Sequence, residues 1–543
     1  MPTLSLAALP LILAQTPPMP RGCVDVRDFG ALGTGVDDDR AAIQSAIDHA
    51  AATLASPPGA KPCVLLTAGV FLSGGLVLRP RVVLYIDGSA ILRASTNGSS
   101  YTFQLNEDSK LMHTAGLGFL GQSWAPSLVS LVGAHGAEVV GEGVLDGQCP
   151  EYITGLGSTN NNTGWLPQQF TFRKLSVPGC ERGGWEWCCA ECRVRVMSVW
   201  HSHDVRIEGV TLSDSHGWTF KLANASDVLV RRVKVYGDWR MPNNDGIDPD
   251  SSTNVTIEDC DINTADDAIS PKAGLRHPNG TYLPLRGLSV RRSRLRSRSF
   301  AVKIGTEIYG NMEGLSFDAL TIYASHQGLG IDLRGTGNIS GCRFTNINIL
   351  RAEWCGSGSY GKQNWMGNAQ PIFISNDKTY LKPLGVRGSV SDVLFENITS
   401  VSENGAYISG IESEPPLIRD VRFVGVRLVI QQRPSNNGTN GPHPAHSDRQ
   451  ELSSQVVVVP PAVHSAAPSL APPPVPAPVP PAAREPVDGV FVEQASGVSF
   501  KRSSVVFAGV PEDGNRFGKC VRLGKGTGGI EPPALDACIS PGE

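Results

Sequence analysis

The sequence is poor in aromatic residues, at 7%, and carries little net charge, −4 with a pI near 6.3. Few aromatics beside 60 glycines argue against a protein of long packed helices and for one with many turns. No basic face or stripe stands out, which removes nucleic acid from the candidate partners. Long hydrophobic runs are missing as well. The stretch LSLAALPLILA, Leu4 to Ala14, is too short to span a bilayer, so no membrane partner is expected. It fits the apolar part of a secretory signal, here assigned to residues 1–20, although no Lys or Arg precedes it.

What is present supports a large core: 543 residues, 41% of them hydrophobic. Twelve cysteines and eight N-x-S/T sequons suit an oxidising, secretory compartment, so an extracellular location is expected. The segment CERGGWEWCCAEC places Cys180, Cys188, Cys189 and Cys192 together. No second ligand pair follows at zinc spacing, so disulfides in a loop are expected rather than a metal. Cys520 and Cys538 are candidates to staple the C-terminal tail. The stretch 433–486 is dense in Pro and Ala towards its end and reads as an extended insertion or linker.

The strongest pattern is a repeat. Apolar residues recur at relative positions 0, +2, +5 and +7: Val205, Ile207, Val210, Leu212; then Val228, Val230, Val233, Val235; then Val255, Ile257, Cys260, Ile262. Leu288, Val290, Ser293, Leu295 follow with a serine in one slot, then Leu315, Phe317, Leu320, Ile322 and Cys342, Phe344, Ile347, Ile349. Val393, Phe395 and Ile398 fill three slots, Val421, Phe423, Val426 and Leu428 all four, and Val498, Phe500 and Val505 form a partial copy. A step of two keeps side chains on one face of a strand. The step of three reverses that parity, so a bend must lie there if all four point inward. Two short cornered strands and a variable return describe one coil of a solenoid, and such units must stack to bury their apolar face. The β-branched slots favour an all-β, parallel β-helix over a helical solenoid or a β-sandwich. The segment DDDRAAIQSAIDHAA reads as a short amphipathic helix ahead of the coils, capped by Asp37 to Asp39 and able to cover the open core. The expected layout is a β-helix over 21–432, the Pro-rich stretch, and a last coil with a tail over 487–543.

Onto this frame falls an unusual density of acid. Between Asn243 and Lys272 stand Asp245, Asp248, Asp250, Glu258, Asp259, Asp261, Asp266 and Asp267. Asp245 and Asp266 are 21 residues apart, about one coil, and stacked coils lie about 4.8 Å apart. Three carboxylates, 245, 266 and 267, can therefore converge. Like charges that close raise at least one pKa, the arrangement that acid and base work on a glycosidic bond requires. Turn chemistry accounts better for Asp248 and Asp250. A calcium site is disfavoured because no DxDxDG is present and the acids are spread over two coils.

NNDGID followed by DDAI resembles the NTDG(I)D and DD motifs of glycoside hydrolase family 28, the polygalacturonase-like enzymes. VDVRDFGALGTGVDDDRAAIQSAIDHA resembles the opening segment of that superfamily, and GEGVLDGQC its G-x-(I/V)-DGQG segment. The resemblance runs over nearly all of residues 23–430. It implies a right-handed β-helix, a secreted glycosidase acting on pectin-type polysaccharide with inversion, and no cofactor. It further implies that Asp266 protonates the leaving oxygen while Asp245 and Asp267 hold and deprotonate the attacking water.

Two family motifs are altered. The histidine of Gly-His-Gly falls at Phe300, and Arg and Lys of Arg-Ile-Lys fall at Gly330 and Asp332. Those basic residues grip the uronate carboxylate, so their loss opens the question of which sugar is bound. Asn244, Lys272, Lys303, Glu307 and Arg334 are the candidate substrate-binding residues in their place; Trp218, Trp239, Trp354 and Trp365 are candidates for stacking on sugar faces. The expected partner is a polysaccharide, met by a monomer. A non-catalytic glycan-binding β-helix is the rival from another class, and a calcium-dependent lyase a third, against which the aspartate trio argues.

Overall fold

The computed structural model describes residues 19–20, 22–53, 61–101, 126–156, 170–172, 193–241, 243–277, 279–353, 369–376, 387–431, 489–508, 519–523, 525–528 and 535–539. The proposed signal segment, the Cys180–Cys192 loop, Trp354, Trp365 and the Pro-rich stretch lie outside these residues, as does the side chain of Cys538. The chain divides into two compact units. One comprises Met1–Gln148, Lys174–Tyr236 and Ser252–Asp261; the other comprises Cys149–Arg173, Gly237–Ser251 and Ile262–Glu543. The fold class is the right-handed parallel β-helix, with a single α-helix among the described residues.

In the first unit the strands His203–Glu208, Ser226–Arg231 and Thr253–Glu258 stack in parallel, with Val205 level with Val228 and Val255, and Ile207 level with Val230 and Ile257. The helix α1, Arg40–Ala52, buries Ile43, Ala46, Ile47 and Ala50. It also ties down a strand edge: Gln44 accepts from the Val77 N–H at 2.9 Å and donates to the Val77 carbonyl at 3.0 Å. A helix over the first coils blunts the open end that a solenoid would otherwise expose. The caps differ in detail from expectation. Asp39 holds the N-cap position, but its carboxylate accepts from the N–H groups of Leu32 and Gly33, while Asp38 accepts from Arg40 N–H. A disulfide, Cys23–Cys63, closes this end at a sequence separation of 40, a pairing that the spacing did not reveal.

The second unit has level rows of its own. Leu315, Cys342, Val393 and Val421 are level, and so are Phe317, Phe344, Phe395, Phe423 and Phe500. These rings stack 4.8–5.2 Å apart, one strand spacing each. Every residue named above in the slots of the nine repeats is buried. Ser293 fits its apolar slot by donating its hydroxyl to the Arg291 carbonyl at 3.0 Å.

The parity reversal has one cause throughout. The residue before the third apolar slot has positive φ in every copy: Gly209, Arg232, Asp259, Arg292, Ala319, Asn346, Asn397 and Gly425. In the partial copy Arg502 does the same. A single left-handed residue turns the chain so that both pairs point inward. After the Pro-rich stretch the chain rejoins the stack, with Phe491 level with Tyr407 and Val505 with Leu428.

Candidate active site

The carboxylate group is built wholly within the second unit. Ile247 pairs with Ile269 and Asp250 with Lys272, a register offset of 22. The coil is thus one residue longer than the 21 expected between Asp245 and Asp266, and it brings Asp245 level with Asp267. Close approach depends on Gly246: a Cβ there would lie 2.3 Å from the Ala268 carbonyl oxygen, and the Gly246 N–H donates to the Asp267 carbonyl at 2.9 Å. One carboxylate oxygen each from Asp245, Asp266 and Asp267 lies within 4.8 Å of the other two.

The three environments differ. Asp267 is buried and three groups donate to it: Ser299 hydroxyl at 2.7 Å, Phe300 N–H at 3.2 Å and Lys303 ammonium at 3.0 Å. Asp245 is buried, and its closest cation is Lys272, 3.9 Å away. Burial first, then Asp248 and Asp266, push its carboxyl well above the ordinary range. Asp266 is the only one of the three that is partly exposed. Burial and then the Asp267 charge raise it to about 6, with Lys303 pulling the other way. The Asp267 N–H and the Asn243 amide donate to its two oxygens, at 2.9 and 3.4 Å.

Among the residues proposed around the trio, Lys272, Lys303 and Glu307 are brought to it. Lys272 bonds Ser270 Oγ and the Gly305 carbonyl and pairs with Glu307 at 3.3 Å. Asn244 does not face a ligand. It is fully buried, donating to the Asp238 carbonyl and accepting from the N–H groups of Ala265 and Asp266, so it holds the Asp266 turn in place. Arg334 is buried in a two-pronged pair with Asp332, at 3.0 and 2.6 Å. Asp248 and Asp250 are not turn residues: both lie buried on the strand Ile247–Asp250. Asp248 acts electrostatically on Asp245 and Lys272, and Asp250 accepts from Gly274 N–H. Trp218 is buried against Lys221, and Trp239 packs against Arg296 and donates to Asn263. Sequence reasoning missed Asn243, Ser299 and Ser297, whose hydroxyl donates to the Asp266 carbonyl at 2.8 Å, since single polar residues in strand or turn carry no spacing signal.

Three carboxylates could ligate a hard cation. Here two ammonium groups already supply positive charge to them, Lys303 at Asp267 and Lys272 near Asp245. The arrangement suits proton transfer: one accessible acid with a raised pKa beside a carboxylate held by donors.

Comparison with known proteins agrees. Residues 185–442 match Glycosyl hydrolases family 28. A probable polygalacturonase of Vitis vinifera is 24% identical over 399 residues, covering 72% of this chain and 71% of its own length. An endo-polygalacturonase of Pectobacterium carotovorum subsp. carotovorum is 24% identical over 379 residues, 68% of this chain and 81% of its own. The solved family 28 exopolygalacturonase of Yersinia enterocolitica superposes with a TM-score of 0.60 at 16% identity, over 94% of this chain and 78% of that one. This protein is a glycosidase of the parallel β-helix class. Residues 185–442 match the family 28 model, and the chain is a divergent relative of the polygalacturonases.

Proposed function

We propose that the protein is a secreted enzyme that hydrolyses glycosidic bonds of pectin-type cell-wall polysaccharide by single displacement. Asp266 gives its proton to the leaving oxygen. Asp267, with Asp245, orients a water and takes its proton as the water attacks the anomeric carbon from the opposite face. Lys303 stabilises the charge on Asp267, and Lys272 with Asp248 sets that on Asp245. The observation that carries the reading is the convergence of three carboxylates of which only Asp266 is partly exposed. With one oxygen of each carboxylate within 4.8 Å of the other two, the attacking water is held between carboxylate oxygens. Extracellular action fits the cysteine and sequon content and the apolar N-terminus. No helix among the described residues is long and apolar enough to cross a membrane.

The test is reducing-end release from a panel of pectic and neutral polysaccharides, wild type beside Asp266→Asn, with the first-formed anomer read by proton NMR. Release that depends on Asp266, with inverted configuration, is expected. No release from any polymer, or equal release by both proteins, would leave only a glycan-binding β-helix, and a retained anomer would overturn single displacement.

A further inference from the structure

One outward row of the second unit leads away from the carboxylates as an apolar rail. Register sets Lys303 beside Gly330, Gly330 beside Phe373, Phe373 beside Tyr407, Tyr407 beside Phe491 and Phe491 beside Arg522. Gly330 leaves a gap in the row, and Phe300 fills it: its ring carbon lies 2.3 Å from where a Cβ at 330 would stand. The two altered positions are thus one change, since any side chain at 330 would collide with the ring at 300. The Phe300 ring meets Phe373 at 5.8 Å and 67°. Phe373 stacks on Tyr407 at 5.5 Å, and Tyr407 on Phe491 at 5.4 Å. Phe373, Tyr407 and Phe491 are only half-buried. Three strand spacings, about 14 Å, separate Gly330 from Phe491. The rail begins at the catalytic group itself, because the Phe300 N–H binds Asp267 and the Lys303 ammonium, also on Asp267, lies 5.4 Å from the Phe300 ring.

Lys303, Lys272 and Arg334 are paired with the protein's own carboxylates, while at the far end of the row the Arg522 guanidinium lies over the Phe491 ring, 4.5 Å from its centre. Lys303 pairs with Asp267 at 3.0 Å, Lys272 with Glu307 at 3.3 Å, and Arg334 with Asp332 at 2.6 Å. Asp245, Asp248 and Asp266 add further acid. A uronate carboxylate would have to displace a buried partner to win a cation, and separating such pairs is costly. Laid on the rail, it would also lose hydration against ring carbons. An uncharged sugar unit meets neither penalty.

We infer that the row Phe373–Tyr407–Phe491, abutted by the buried Phe300 ring, is a substrate track for uncharged sugar units: methyl-esterified galacturonate or neutral sugars. The inference rests on the hydrolase reading above and names the substrate class of that same site. A ladder that served stability alone would change the melting temperature on truncation but not the choice of polymer.

The test compares kcat/KM of the full chain on highly methyl-esterified galacturonan, de-esterified polygalacturonate and neutral galactan. Calorimetric binding of Asp266→Asn to oligomers of each runs beside it. At least tenfold preference for an uncharged polymer is expected, and the esterified and galactan arms separate the two sources. Phe373→Ala and Phe491→Ala should each raise KM for the preferred polymer several-fold, with kcat within about twofold. Should Phe373→Ala fail to fold, Phe491→Ala at the far end carries the comparison. Preference for polygalacturonate, or unchanged KM in the ladder variants, would overturn the inference while leaving the hydrolase intact. Hydrolysis of nothing would sink the hydrolase reading, and the binding preference of Asp266→Asn would still decide the rail.

Discussion

Two stacks in the second unit use the same geometry to opposite effect. Phe317, Phe344, Phe395 and Phe423 repeat one residue at one strand spacing, and ring on ring is favourable at 4.8–5.2 Å. Asp245 and Asp267 also repeat one residue at one spacing, and there the repetition is repulsive. A solenoid cannot avoid placing equivalent residues of successive coils together. In its core this multiplies packing, whereas at the acidic cluster it raises the affinity of Asp245 and Asp266 for protons. Ser299, Phe300 N–H, Lys303 and Lys272 make that crowding tolerable, and what remains of it raises Asp266, the acid of the proposed mechanism.

Each way of breaking this contrast has a definite outcome. The largest effect is expected from Asp266→Asn, which removes the proton donor and should lower kcat about 10²–10⁴-fold. The same variant should unfold at higher temperature at pH 7. A folded-state carboxyl raised to about 6 costs nothing while it is protonated in both states. Its cost accrues as pH rises from about 4 to 6 and is complete above that. Asn removes the cost, by about 1–2 kcal/mol, and the gain should vanish at pH 3, as differential scanning calorimetry at the two pH values would register.

Phe344→Ala in the ring ladder should show the reverse: a loss of about 3–5 kcal/mol in denaturant unfolding, with kcat nearly unchanged in the fraction that stays folded. Next in size is the pH profile of wild-type kcat. Asp266 must carry its proton to act, so the rate should fall as pH rises through about 6, roughly fiftyfold between pH 6 and 8. A rate that climbs over that interval would reassign the acid. Smallest is the shift in Lys303→Met. Lys303 lowers the Asp266 pKa, so its removal should move the alkaline limb upward, by about one pH unit, on top of slower turnover.

Much of this was legible in the chain before folding. The four-slot spacing identified the core residues, down to the serine that stands in for an aliphatic at 293, because alternation along a strand leaves one way to bury them. The trio was legible because coil length sets which carboxylates meet. Its finer register was not: the coil runs one residue longer than the spacing of the two motifs, and only paired backbones reveal that Asp245 lies level with Asp267. Asp248 and Asp250 were read as turn residues since Asp favours turns, yet the strand that carries them is held by its neighbours rather than by its own propensity. Asn244 sits beside the acid in sequence, but its hydrogen bonds turn inward.

By itself, the sequence determined the repeat, the parity switch at each bend and the meeting of acids from adjacent coils, because these follow from covalent spacing along strands. The tertiary structure alone decided which carboxylate is partly exposed, which lysine holds which acid and that Phe300 lies over Gly330. Those outcomes depend on distances between residues tens of positions apart, where burial and charge act through space and no local pattern records them.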